Sequence, residues 1–260
     1  MRIVFIGDVV GRPGRRAVAA LVPRMRAELE PDLVLANAEN SAGGFGIDRK
    51  GIGELESAGV RLFTTGNHVW DKPEGVALLD EKTNILRPAN YPDAPGRGFA
   101  VVEGVAPPVA VLNVQGRVFM PPIDCPFRAV DRLLAELPRE VRIVVVDVHA
   151  EATSEKIAMA WHLDGRASVV LGTHTHVPTA DARVLPKGTG YVTDVGMTGS
   201  YAGVLGMKRD AVLWRFFHVR PTRFEVAKGD VRCDFVVADV DEESGRAVSL
   251  RHLQWRVEET

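Results

Sequence analysis

Apolar residues in the first two thirds of the chain fall into short runs, separated by stretches in which apolar positions return every three or four residues. The runs at 2–7, 32–37, 60–64, 109–114, 141–148 and 167–171 are rich in Val, Ile and Leu and predict buried strands. The intervening stretches at 14–30, 48–58, 73–82, 128–137 and 153–163 predict helices. Pro23 lies inside the first of these, where its missing N–H should break or kink the helix. Alternation of this kind argues for a layered α/β fold.

The last third reads differently. Runs at 191–195, 211–220, 223–227, 231–239 and 248–257 predict strands, with turns at Lys228-Gly229-Asp230 and Glu243-Ser244-Gly245. Hairpin spacing suggests antiparallel strands completing a second sheet. A two-sheet α/β sandwich is therefore expected in preference to a single open sheet. The chain shows no internal repeat and no low-complexity segment.

Composition narrows the class without naming a function. With 260 residues, 46% apolar and 25% charged, the chain is expected to form one globular domain spanning 1–260. The 32 basic and 34 acidic residues nearly cancel and form no long block of one sign. Capture of long nucleic acid by general charge is not expected, although a local groove is compatible with a short oligonucleotide. The two cysteines, Cys125 and Cys233, are far apart, which argues against a disulfide framework or a cysteine zinc site and fits the cytoplasm. No apolar run reaches the roughly 18 residues of a membrane span. Apolar loop segments leave a homo-oligomer open.

The chemistry lies where the apolar runs end. Gly7-Asp8, Asn37-Ala38-Glu39-Asn40, Gly66-Asn67-His68, Asp147-Val148-His149 and Gly172-Thr173-His174-Thr175-His176 each place polar, metal-capable side chains at a predicted strand terminus. In α/β sheets the carboxyl ends of strands are where loops converge on ligands, so one site can collect all five. Singly, each has an ordinary reading: Asp8 as a helix cap, Asn67 and His68 as a turn. The His174-x-His176 pair says more, since in an extended segment residues two apart point the same way and can ligate neighbouring ions. Four of the seven histidines, His68, His149, His174 and His176, sit at these termini, whereas His162, His218 and His252 do not and read as ordinary helix or strand residues. A mixed nitrogen and oxygen donor set suits Fe, Mn, Zn or Co better than Ca or Mg. It is also longer than one zinc ion needs. Two ions sharing a carboxylate, about 3.5 to 4 Å apart, would clamp the attacking and leaving oxygens of a phosphoryl displacement.

In this order the segments resemble the calcineurin-like metallophosphoesterases. More narrowly, the strings GDVVGRPGR, NAENSAGGFGI, TTGNHVWD, HAEATSEK, LGTHTHVPTAD and TDVGMTG together resemble the bacterial YmdB-type phosphodiesterase branch over essentially the full chain. One departure from the wider superfamily stands out: Asp8-Val9-Val10 replaces Asp-x-His, and Asn40 is expected to take the missing histidine's place. The resemblance implies a four-layer sandwich with one ion held by Asp8, Glu39, Asn40 and His176. It implies a second ion held by Glu39, Asn67, His149 and His174, so that Glu39 bridges. His68 would touch the phosphate and protonate the leaving oxygen. Fe or Mn is the expected metal, with Zn or Co as alternatives, and the expected substrates are small phosphodiesters such as 2′,3′-cyclic nucleotides.

No residue is assigned to the rest of the substrate, although the loops at 42–46 and 116–127 are candidate rims. Two rival readings stand beside hydrolysis. A nucleotide-binding domain without turnover is disfavoured because Gly7, Gly11 and Gly14 do not fit G-x-G-x-x-G and no P-loop motif occurs. A regulatory metal-bound scaffold, or an RNA-linked signalling protein with little turnover, would carry the same ligands and differ only in what the metal centre is for.

Overall fold

The computed structural model describes residues 1–102 and 104–257. In chain order its elements are β1 (Arg2–Ile6), β2 (Asp8–Val9), α1 (Gly11–Leu29), β3 (Leu33–Asn37), α2 (Arg49–Ala58) and β4 (Leu62–Thr64), followed by a short 3-10 turn (Asn67–Asp71). Next come α3 (Pro73–Glu81), β5 (Phe99–Val101), β6 (Val109–Gln115), α4 (Pro126–Glu136), β7 (Ile143–His149), α5 (Thr153–Leu163) and β8 (Val169–Thr173). The chain closes with β9 (Arg183–Val184), β10 (Gly190–Val192), β11 (Met197–Ser200), α6 (Arg209–His218), β12 (Val231–Val240) and β13 (Ala247–Arg256).

Two sheets result. The first runs β2-β11-β12-β1-β3-β4, with β13 also paired to β12; the second runs β5-β6-β7-β8-β10-β9. Side chains alternate across each strand, and here both sets are apolar, which is why the sequence shows continuous runs rather than alternation. Ile3 and Phe5 of β1, with Leu33 and Leu35 of β3, face the other sheet and meet Val109, Val111, Ile143, Val145 and Val169. Val4 and Ile6 point the opposite way, into a layer with Val18, Val22 and Met25 of α1 and Ile52 and Leu55 of α2. On the outer face of the second sheet, Leu112, Val146 and Val170 pack against Val130 of α4 and Met159 and Leu163 of α5. Helix, sheet, sheet, helix is the expected four-layer sandwich.

Three expectations need correction. α1 continues as one helix through Pro23, which sits on the exposed face, so the buried stripe from Gly14 to Met25 stays in register. The C-terminal hairpin β12–β13 joins the sheet of β1 and β3 rather than building a second one, while β10 adds to the other sheet in parallel with β8. Most important, 211–220 is not a strand but lies largely within α6, and 223–227 contributes only an isolated bridge between Met207 and Val226. The aromatic and β-branched content of that stretch favours a strand by propensity. Positions 212, 215 and 216 nevertheless share one helical face, and the helix wins. Among the described residues no helix is long and apolar enough to cross a membrane.

One buried ion pair ties the outer layer to the sheet ends. Lys156 of α5 and Asp194, just after β10, meet at 2.6 Å with side-chain exposures of 0% and 1%. Asp194 also accepts from the Thr175 hydroxyl at 2.7 Å and the Gly196 N–H at 2.8 Å. Removing one partner from such a pair leaves an uncompensated buried charge, so Lys156→Met should lower unfolding stability by about 3 to 5 kcal/mol. Adding Asp194→Asn to that variant should recover part of the loss. Denaturant melts of the three proteins check this, and an unchanged midpoint in the single variant would show that the pair contributes nothing.

Candidate metal centre

The parallel strands β1, β3 and β4 of one sheet and β6, β7 and β8 of the other end in one region, and the expected ligands are delivered from those ends. Asp8 follows β1, Glu39 and Asn40 follow β3, and Asn67 opens the turn after β4; His149 closes β7, and His174 and His176 follow β8. Gly66 makes the approach possible: a Cβ there would lie 2.1 Å from the His149 ring. The structure brings all seven expected ligands and His68 into one neighbourhood.

Their polar atoms crowd together in a way that hydrogen bonding alone cannot satisfy. His149 Nε2 lies 3.2 Å from Glu39 Oε1, 3.2 Å from Asn67 Oδ1 and 3.1 Å from His174 Nδ1. A ring nitrogen carries at most one proton, so it can serve only one of these neighbours. Ligand atoms of Glu39, His149 and His174 all fall within 4.8 Å of one another. Alongside, His176 Nε2 lies 3.3 Å from Asn40 Oδ1 and 4.0 Å from Asp8 Oδ1. That Asp8 oxygen is buried and has no hydrogen-bond partner among the described residues. Converging lone pairs and an orphaned carboxylate oxygen fit divalent cations, which satisfy several such atoms at once.

Surrounding residues fix how the ligands present themselves. The Thr173 hydroxyl donates to Asp147 Oδ1 at 2.7 Å, so it is left as an acceptor for His149 Nδ1–H at 2.9 Å. This arrangement aims the other nitrogen, Nε2, at the cluster. His176 Nδ1 donates to the Leu205 carbonyl at 3.2 Å, which likewise turns Nε2 inward. Asn40 donates its amide N–H to the Gly44 carbonyl at 3.1 Å and so presents its oxygen. Glu39 is held through Oε2 by the His68 backbone N–H at 3.0 Å.

Electrostatics point the same way. Burial drives Asp8 well above the usual carboxylate range, and the nearby Glu39 charge adds to the effect. Burial also opposes ionisation of Glu39, yet the His149 charge beside it prevails and holds Glu39 at about 2. His149 mirrors this: burial lowers it, but Glu39 brings it up to about 9. His174 is pressed down to about 3 by burial and by the His149 charge, and burial lowers His176 as well. Two neutral imidazoles with free lone pairs therefore stand beside carboxylates that lack enough positive charge.

The structure places His174 and His176 in the cluster, but not with the geometry that their spacing suggests. β8 ends at Thr173, and His174 and His176 both adopt left-handed backbone, with φ of 96° and 64°. They diverge rather than point together: His174 meets His149, whereas His176 meets Asn40. Strained backbone of this kind persists only where its surroundings hold it, and Thr175 between them is fastened to Asp194 through both N–H and hydroxyl. His68 stands apart from the nitrogen cluster, half-exposed, with Nδ1 2.8 Å from Asp71 Oδ2 and its ring edge against Phe45.

Sequence reasoning did not find the supporting groups Thr64, Asn37 and Thr173 around Asp147, nor Glu151, whose Oε2 lies 3.1 Å from His174 Nε2. A carboxylate inside the apolar run of β7 was the available signal for the first set. Of the two candidate rims, Gly44 and Phe45 from 42–46 line the cavity in front of the cluster, and no residue of 116–127 does. His162, His218 and His252 lie in α5, α6 and β13, and their partners are Asp131, the Trp214 carbonyl and the Val195 carbonyl.

With this geometry in place, the likeness to known proteins is informative. The chain is 48% identical over 254 residues to the 2′,3′-cyclic-nucleotide 2′-phosphodiesterase of Bacillus subtilis strain 168, covering 97% of this chain and 96% of that protein. Among solved structures, a protein of Thermus thermophilus superposes with a TM-score of 0.93 at 49% identity, covering 98% and 99% of the two chains. A Mycoplasma pneumoniae protein described as a novel phosphatase superposes with a TM-score of 0.92 at 32% identity, covering 98% of this chain and 93% of its own. Residues 4–253 match the model of the YmdB-like proteins, and the chain belongs to that family.

Proposed function

We propose that this protein is a phosphodiesterase that uses two divalent ions to hydrolyse 2′,3′-cyclic nucleotides. The observation that carries the reading is the crowding of Glu39, Asn67 and His174 oxygen and nitrogen atoms around His149 Nε2. Support for the substrate comes from the Bacillus subtilis relative, which shares nearly half of its residues over almost the whole chain. The site draws on both sheets, which supports treating 1–260 as one functional domain.

On this reading Asp8, Asn40 and His176 hold one ion, Asn67, His149 and His174 hold the other, and Glu39 contributes to both. The mixed donors favour Fe or Mn, with Zn or Co as alternatives. When bound, such ions supply Lewis acidity toward the phosphoryl oxygens and lower the pKa of water. The remaining work falls to the chain. Thr173 and Asp147 keep the His149 proton on Nδ1, and the Leu205 carbonyl does the same for His176. The His68 N–H fixes the orientation of Glu39. The His68 ring, oriented by Asp71 at Nδ1, delivers a proton from Nε2 to the departing ribose oxygen. Free cysteines at Cys125 and Cys233 support a reducing cytoplasm.

Three outcomes are expected. Purified protein should hydrolyse a 2′,3′-cyclic nucleotide, lose that activity to a chelator and regain it with added Mn or Fe; turnover unaffected by chelation would end the proposal. Glu39→Gln should lose most of both turnover and bound metal, read by rate and by elemental analysis side by side, whereas full metal content with normal turnover would remove the shared carboxylate. His68→Ala should keep its metal and lower kcat by about 10² to 10⁴, the usual contribution of a positioned acid. Loss of metal in that variant would make His68 a ligand instead.

A further inference from the structure

The cavity in front of the ligand cluster has a volume of about 820 Å³, within the range of small-molecule pockets. Glu39, His68, His174 and His176 form one end of it. A wall of the same cavity comes from α6 and the residues just beyond: Val212, Arg215, Phe216, Val219 and Arg220 all line it. Val212, Arg215 and Phe216 share one face of α6, and Val219 and Arg220 follow where the helix ends at His218 in a left-handed cap. Of these residues only Val212 is buried: it packs with Val10, Met197 and Met207, whereas Phe216 is 76% exposed and Val219 87% exposed. Phe224 adds a further aromatic to the wall and lies beneath the Arg215 guanidinium, 5.3 Å from its ring centre. Phe45, in ring contact with His68 at 5.0 Å, carries the aromatic surface to the edge of the reacting region.

Phe217, Leu213 and Trp214 are exposed outside the cavity, but Phe216 lines the same cavity as Glu39, His68, His174 and His176 and is placed to meet an occupant that enters with the phosphate. The geometry points to the cavity wall formed by Phe216, Val219 and Phe224 as the one that binds the nucleobase of the substrate, making Phe216 a specificity-determining residue. This rests on the phosphodiesterase reading for its substrate class. The chemistry is consistent from end to end of the cavity. Aromatic faces stack on any base, which gives affinity with little sequence preference. Arg215 and Arg220, which both line the cavity, bring positive charge to a site for an anion. A phosphate ester without a base would engage the ligand cluster and leave the aromatic wall uncovered.

The test separates the base from the phosphate. Protein carrying its native metals is titrated calorimetrically with adenosine 3′-monophosphate and with ribose 3-phosphate, the same anion without the base. Wild type should bind the nucleotide at least tenfold more tightly, as expected for one base stacked on an aromatic residue. Phe216→Ala, a change at an exposed position, should bring the two affinities to within about threefold while leaving the ribose phosphate affinity unchanged. In parallel, Phe216→Ala should raise KM for the 2′,3′-cyclic nucleotide with kcat preserved. Equal affinities in wild type, or equal losses for both ligands in the variant, would overturn the inference. So would a change in sedimentation with both affinities intact, which would make the wall a contact between copies of the chain. If base-dependent binding is lost in the variant but wild type hydrolyses nothing, the wall stands and the phosphodiesterase reading falls.

Discussion

Lone pairs gathered in a buried place are the constraint on which this structure turns. Asp8, Glu39, Asn40 and His149 are almost wholly inaccessible, and acceptors outnumber donors among them: Glu39 Oε1 and Asn67 Oδ1 both converge on His149 Nε2, and Asp8 Oδ1 has no hydrogen-bond partner among the described residues. Burying a polar atom without a partner is costly, and burying a carboxylate without positive charge is more so. A proton relieves only one contact, as the tug between Glu39 and His149 shows: one is held at about 2 while the other rises to about 9. A cation relieves several at once. The demand for positive charge is thus a property of the fold before any reaction is considered.

The polar residues behind the cluster make sense as answers to that demand. Asp147 lies inside an otherwise apolar strand, where Thr64, Thr173 and Asn37 satisfy it, and through Thr173 it determines which nitrogen of His149 carries the proton. Lys156 compensates Asp194, and Asp194 in turn fastens Thr175 between two histidines whose left-handed backbone would otherwise be free to relax. Glycine enters for space alone at two points. A side chain at Gly66 would occupy the position of the His149 ring, and one at Gly172 would strike the Thr193 carbonyl at 1.7 Å. Ligands, supports and close approaches come from both sheets, so precision at the site is inherited from the strand ends rather than assembled by mobile loops.

This explains what could be read from the chain and what could not. β1, β3, β7 and β8 were legible because strands covered on both faces become unbroken apolar runs, and Asp8, Glu39, Asn67, His149 and His174 were legible because each comes just after, or closes, such a run. The path between His174 and His176 was not, since a positive φ at a non-glycine residue leaves no mark on composition. α6 failed for a different reason. Its Val, Leu, Trp and Phe content belongs to a strand by propensity, whereas the helix buries only Val212 and so leaves no apolar face for its period to announce.

That misreading has a physical root which also bears on specificity. Strand assignment presumes that an apolar segment exists to be buried in protein, yet α6 is left largely bare beyond Val212. Apolar pattern therefore meant something different at the two ends of the cavity: scaffold at the strand termini, contact surface on the helix. The candidate ligands are set by β-strand register and buried hydrogen bonds, whereas Phe216 and Val219 are attached to the rest of the protein through a single helix and its loops. Side chains on the helix can change without disturbing Glu39 or His149, so one metal-binding framework is free to serve different organic groups. The division places the metal chemistry where the fold is most constrained and leaves selectivity to the wall that faces it.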